Sequence, residues 1–481
     1  MIRAFSLFFI VVVFLLTAGE AISQTKRDQR RARDLIEAAE VSIQQKNYQA
    51  AVDNFAAALQ ADPQNADAHY RKGAVHAYLK QDDQALAEFN LALQKGFKRP
   101  LDVYLFRWRI HLQKKNFDAA QSDIQKGLQI DPNNRELGLA TADLAYERGD
   151  YRAALDVYQK FLPTANNRGD IYFKVASIHG KLGDHALMVT AAQNAIGSGT
   201  QNIFESYVSM ATGLRRLKRF DEAIEAYQRA ITAKPGSYNL YREIAEVYRS
   251  QGKFSDAVAV TRRAISELNR KIAEMQRDTT SQQQTLTELK KVLGELYADA
   301  SWFYSLDGRA ADAVSAALAA IQMSPELAVA YTNLCRAYND QGKYLMAITQ
   351  CNNALKYKPD DGETNFYLGR AYAANGKQAD AARAFSRAVV GLEKFVSDNP
   401  EFPEGYYLLG NAYYENNQID KAIAAYTRCL ELGPRFVRAR FNLGIAQTVK
   451  KNKAAALEQY NSLLSLDAGL AAKLKVEIDK L

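Results

Sequence analysis

Histidine and cysteine are the side chains of this 481-residue chain best suited to bind a metal ion or to attack a substrate; there are five of the first and three of the second. His69 and His76 stand seven residues apart on one helical pattern, while His111 and His179 lie well separated along the chain. A zinc site would need these imidazoles to converge from different segments. No Gly-rich loop ending in Lys-Ser/Thr, no dinucleotide-binding glycine motif, no HExxH and no GxSxG occurs. The expectation is therefore a chain with no catalytic residues, no metal site and no cofactor.

The elements that carry these residues repeat. Residues 328–361, AVAYTNLCRAYNDQGKYLMAITQCNNALKYKPDD, hold two helical patterns separated by a glycine and closed by Pro359. Tyr331, Leu334, Cys335 and Tyr338 recur at three- and four-residue intervals and make one apolar face. Beyond Gly342, Tyr344, Ala347, Cys351 and Ala354 make the facing stripe. The small residues Cys335, Ala347 and Ala354 let the two backbones approach, and larger side chains would push the hairpin apart. Cys335 and Cys351 face each other across this hairpin. Small-residue packing is one reading of them, and oxidation to a disulfide is the other if their Cα atoms come within about 7 Å. Cys429 falls at a packing position too, and His76, His111 and His179 take the place that Tyr338 holds, which makes them packing residues.

This pattern resembles the tetratricopeptide repeat family, whose unit of about 34 residues has the same large and small positions and ends in Pro. Related units begin near Ala32, Ala66, Leu101, Arg135, Gly169, Phe204, Tyr238, Gly294, Ala328, Gly362, Pro403 and Val437, about twelve in all. The resemblance implies an all-α, right-handed superhelical solenoid of antiparallel helix hairpins. Residues 32–271 would form one array of about seven units and residues 294–467 another of about five, with 468–481 as a C-terminal capping helix. Two departures break the period. Residues 272–293 are surplus, and Ile265, Leu268, Ile272 and Met275 on one side match Leu286, Leu289, Leu293 and Leu296 on the other. Two lengthened helices zipped antiparallel explain both runs, projecting as a hairpin at about 265–296 that is a candidate second contact or homodimer site. The tenth unit carries a smaller surplus, about two helical turns around VVGLEKFVSDNPEFP.

The family's geometry turns one face of each first helix toward a concave groove, which implies that the chain binds a peptide or partner protein there. In the ninth unit that face carries Asn333, Arg336 and Asn339; in the tenth Phe366, Tyr367 and Arg370; then Tyr407, Asn411 and Tyr414; finally Phe441 and Asn442. Amides can pair with an extended backbone, aromatic rings supply contact area, and Arg reads carboxylates. The same Asn and Tyr residues, where they follow the family consensus, have a second reading as braces between neighbouring helices. Some family members hold a chaperone's C-terminal carboxylate in a Lys, Asn and Arg clamp. Here Ile36 and Glu40 stand where its Lys and Asn would be, so co-chaperone activity is not expected.

Residues 1–23 place Arg3 before an apolar run from Phe5 to Leu16 and then small residues at Ala18, Gly19, Ala21 and Ser23, the pattern of a secretory signal. The run is shorter than the roughly 20 residues of a membrane-spanning helix. The basic leader 24–31 and the stretch KRDQRRAR at 26–33 that overlaps it oppose translocation, so a retained N-terminal anchor that keeps the chain at a membrane is the alternative. Removing 1–23 takes one base, Arg3, and one acid, Glu20, and leaves the net charge at +8. The bases are scattered and no nucleic-acid motif accompanies them, so no nucleic-acid partner is expected. These readings together give a non-catalytic scaffold, exported to a periplasm or cell envelope. Two alternatives remain, an accessory that organises polysaccharide synthesis or export, and a sugar- or ligand-binding protein.

Overall fold

The computed structural model describes residues 26–277 and 283–481. The expected signal segment 1–23 and the tip of the 272–293 insertion therefore lie outside the described residues. Among those described, every regular element is helical. The chain divides into two compact units, Met1–Arg219 and Phe220–Leu481.

The first unit runs α1 (26–44), α2 (Tyr48–Ala61), α3 (Ala66–Tyr78), α4 (Asp82–Gln94), α5 (Pro100–Gln113), α6 (Phe117–Ile130), α7 (Arg135–Glu147), α8 (Tyr151–Phe161), α9 (Arg168–Leu182), α10 (His185–Gly197) and α11 (Ile203–Arg216). The second opens with α12 (Phe220–Ala233), α13 (Tyr238–Ser250), α14 (Phe254–Arg277), α15 (Gln283–Leu306), α16 (Ala310–Met323), α17 (Ala328–Asp340) and α18 (Tyr344–Tyr357). It continues with α19 (Gly362–Ala374), α20 (Gln378–Asp398), α21 (Pro403–Glu415), α22 (Ile419–Leu432), α23 (Val437–Val449), α24 (Lys453–Leu464) and α25 (Ala468–Ile478). The helices pack as consecutive hairpins, α3 on α4 through α9 on α10 in the first unit and α13 on α14 through α23 on α24 in the second, and α25 lies against both α24 and α23.

One pair of positions, sixteen residues apart, explains how several hairpins close. A small residue on the first helix receives a ring from the second: Gly73 meets Phe89, Gly369 meets Phe385 and Gly410 meets Tyr426, and an added Cβ would stand 2.9, 2.6 and 2.5 Å from those rings. In the hairpin of α17 and α18 the same two positions are Cys335 and Cys351. They are joined as a disulfide with Cα atoms 5.3 Å apart, both fully buried. The structure thus sets aside the reading of these two cysteines as reduced packing residues. Two thiols at the positions of closest approach lie within bonding reach, so the covalent bond does what glycine and a ring do elsewhere. Cys429 is free and buried, and burial pushes its thiol up to about 12.

The lengthened helices α14 and α15 lie against each other. Leu268, Leu293 and Leu296 are almost wholly buried between them, with Ile272 and Leu286 extending the seam. Helix α20 carries the other surplus. Its added turns bury Leu392 and Val396, and Gly391 brings its backbone so close to α19 that an added Cβ would stand 2.5 Å from the Asp360 carbonyl oxygen and 2.6 Å from the Gly362 nitrogen.

The histidines take packing places with local partners. His69 Nδ1 lies 2.6 Å from Glu88 Oε2 and His76 Nδ1 2.6 Å from Gln81 Oε1, both buried. Burial, then the charge of Arg107, lowers His111 from the ordinary imidazole value. No helix among the described residues is long and apolar enough to cross a membrane.

Candidate functional site

In the second unit α13, α15, α17, α19, α21 and α23 touch in succession, so the first helices of these hairpins share one face. Its middle is a polar cluster. Asn333 on α17 donates from Nδ2 to the Ala298 carbonyl of α15 at 2.8 Å and accepts from Arg336 through Oδ1. Arg336 reaches Glu363 of α19 at 3.4 Å and sits 5.5 Å over the ring of Tyr367. Asn339 donates to the Tyr367 carbonyl at 3.1 Å, which ties α17 to α19. On α13, Arg242 holds Asp299 at 2.5 Å and Glu295 at 3.3 Å, both on α15.

Near the ends of three neighbouring helices are Asp340 on α17, Arg370 on α19 and Glu415 on α21, all exposed. None of the three forms an ion pair among the described residues; Arg370 stands 5.9 Å over Tyr367. Desolvation nevertheless raises both carboxyl groups above their ordinary range, against the pull of Arg370. Both carboxyl groups feel the charge of Arg370, which places the three on one polar wall of the shared face.

The eleven residues proposed from sequence do not all share this wall. Asn333, Arg336, Asn339, Tyr367 and Arg370 come together around the Tyr367 ring, the first four of them buried. Tyr407, Asn411 and Asn442 form a second group: Asn411 Oδ1 accepts from Tyr426 Oη at 2.8 Å and from Asn442 Nδ2 at 2.7 Å, and the Tyr407 ring lies tilted 5.1 Å from that of Phe436. These are bonds between adjacent helices, and they match the bracing role. Tyr414 is half-buried, and desolvation followed by Glu415 raises its hydroxyl. Phe366 corrects the sequence reading, while Phe441 is half-buried. Phe366 is 4% exposed and packs 6.0 Å from Phe385 inside its own hairpin, because the position before Tyr367 rotates by about 100° into the helix interface. Phe441 packs into the apolar cluster of α24 and α25.

Sequence periodicity also missed a contact. Arg249, near the end of α13, is 7% exposed. Its guanidinium pairs with Glu246 on its own helix and with Glu404 on α21, and lies 5.3 Å from the Trp302 ring and 5.2 Å from that of Phe402. The partners are 155 residues apart, a separation no 34-residue pattern encodes.

In the first unit, ion pairs bridge neighbouring hairpins: Arg71 to Glu40 at 2.5 Å, Lys114 to Asp83 at 2.8 Å and Lys174 to Asp143 at 2.5 Å. Glu40 is thus engaged by Arg71, and Ile36 packs against the α1–α2 core.

A family model described as tetratricopeptide repeat matches residues 109–170, 208–270, 332–400 and 407–471, and a second of the same description matches 42–101. Over half of the chain is matched, and the chain belongs to the tetratricopeptide repeat family. It is similar to the BBSome complex member BBS4 homolog of Drosophila melanogaster, 24% identical over 411 residues, 79% of this chain and 76% of that protein. It is also similar to Peroxisome biogenesis protein 5 of Arabidopsis thaliana, 38% identical over 97 residues and 20% of this chain, and to Superkiller complex protein 3 of Mus musculus, 24% identical over 232 residues and 46% of this chain. The matches span 13% and 14% of the lengths of these two proteins. Among solved structures, the C-terminal part of a TPR repeat-containing protein from Cytophaga hutchinsonii is 17% identical with a TM-score of 0.36, covering 63% of this chain and 99% of that one. The chain is a protein-interaction scaffold, and proteins of this family are in general non-catalytic.

Proposed function

We propose that the shared face of the first helices in Phe220–Leu481 binds an extended segment of a partner protein. The observation that carries this reading is the trio Asp340, Arg370 and Glu415, exposed and free of ion pairs among the described residues, with both carboxyl groups desolvated by the protein around them. Arg370 addresses a carboxylate of the segment, and Asp340 and Glu415 address its amides or bases. Tyr414 supplies aromatic contact area beside them.

The setting we propose is an exported scaffold in a cell-envelope or secretory assembly. The apolar run of residues 5–16 supports export, and the Cys335–Cys351 disulfide supports an oxidising compartment. Affinity capture from the native membrane fraction, comparing wild type with Arg370→Ala, tests the binding reading. Loss of the captured protein at an unchanged melting temperature is expected, and equal capture by both would defeat it. Recovery of the disulfide-bonded chain from the cytoplasm alone would defeat the export reading.

A further inference from the structure

Arrays of helical hairpins are held together by contacts between nearest neighbours. The Arg249 contact departs from that rule, since α13 and α21 belong to hairpins four apart, and Trp302 and Phe402 on either side come from α15 and the loop before α21. Joining them closes the shared face on itself from α13 to α21, with α23 beyond the contact. Burial within the face agrees independently. Asn333 and Arg336, central on that face, are 2% and 7% exposed, and desolvation raises the Glu363 carboxyl although a third of its side chain still reaches water.

We infer that Arg249 and Glu404 form a clasp that holds this inner passage shut, and that an extended segment enters only when the clasp opens. The guanidinium sits between two rings and binds one carboxylate from its own helix and one from across the passage. Only the second bond has to break, because Glu246 stays with Arg249 on α13. Glu404 Oε2 has no hydrogen-bond partner, so the crossing bond is held through a single carboxylate oxygen and can be exchanged. The consequence for binding rests on the inner face being the binding surface, whereas the clasp itself does not.

The experiment uses the full chain with spin labels at Lys253→Cys and Asp398→Cys, exposed positions just beyond α13 and at the end of α20. The parent protein should give one narrow distance distribution. Glu404→Gln should broaden it toward longer distances and raise acrylamide quenching of Trp302 about twofold or more, with Trp108 buried in the first unit as a constant background. Arg249→Lys keeps the charge but loses the fork that spans both carboxylates, and should broaden the distribution less. A distribution and quenching unchanged in both variants, each with native helical content, would overturn the clasp. Photo-crosslinking of the partner from an aromatic crosslinking residue at position 414, which leaves Arg370 in place, should then rise severalfold in Glu404→Gln, because apparent affinity scales with the fraction of open molecules. An open clasp with an unchanged crosslink yield overturns the gating role. Absence of any crosslink from position 414, in parent and variant alike, counts against the binding surface and leaves the distance result to decide the clasp.

Discussion

Replacing both Cys335 and Cys351 by alanine removes the one covalent link between α17 and α18, and its cost follows from the structure. The bond closes a loop with a sequence separation of 16. Constraint of the unfolded chain by a loop of that size is worth about 3 kcal/mol. Both residues are fully buried, so the lost sulfur atoms leave small voids and add about 1 kcal/mol. A solenoid need not unfold in one step, so a single melting curve is the wrong readout. Hydrogen exchange resolves local opening, and the sum of about 4 kcal/mol corresponds to roughly 700-fold faster exchange. That acceleration should appear at amides of α17 and α18 and at the facing turn of α19, where the Thr364 carbonyl receives the Cys351 sulfur contact at 3.3 Å. Exchange at those amides within threefold of wild type would refute the reasoning, as would two free thiols at 335 and 351 in the intact mass of the native protein.

Gly391→Ala should lower the melting temperature sharply, with about 1–3 kcal/mol lost, because its Cβ meets backbone atoms that cannot turn aside, and circular dichroism would check it. Phe366→Ala should cost about 3–5 kcal/mol in a denaturant titration, while Arg370→Ala at the exposed end of the same helix should cost almost nothing. Deleting residues 272–293 should leave helical content per residue unchanged and abolish any self-association seen by light scattering; an unchanged oligomeric mass would assign the hairpin no dimer contact. Glu415 has a folded-state value above its unfolded one, so its contribution is fully present below the ordinary carboxylate range and is lost as pH rises through the raised value. Glu415→Gln should therefore lose less melting temperature than wild type as pH rises from about 4 to neutrality.

The hairpins were legible because their cause is local. Gly369 with Phe385, and Gly410 with Tyr426, are alternations of small and large residues within one unit, and the lengthened α14 and α15 declare themselves through Leu268, Leu293 and Leu296 at helical spacing. Legibility failed where a contact depends on rotation or on distance along the chain. Phe366 and Tyr367 are adjacent and both aromatic, yet only the ring of Tyr367 meets Arg336 and Arg370; the turn of the helix between them decides which way each points. The disulfide was one of two open readings, because the spacing that allows it is the same spacing that packs a glycine against a ring. Arg249 carried no signal at all, since its partner lies four hairpins away and nothing in either local sequence announces the meeting.

The central claim is that the shared face of the first helices in Phe220–Leu481 holds a partner segment. An aromatic photo-activated crosslinking residue at position 414, on that face and leaving Arg370 in place, and another at Leu345, 67% exposed at the start of the second helix α18, test it most directly in the native membrane fraction. A discrete adduct is expected from position 414 that is absent from position 345 and is lost when Asp340 and Glu415 are both neutralised. An adduct from position 345 with none from position 414 would contradict the claim.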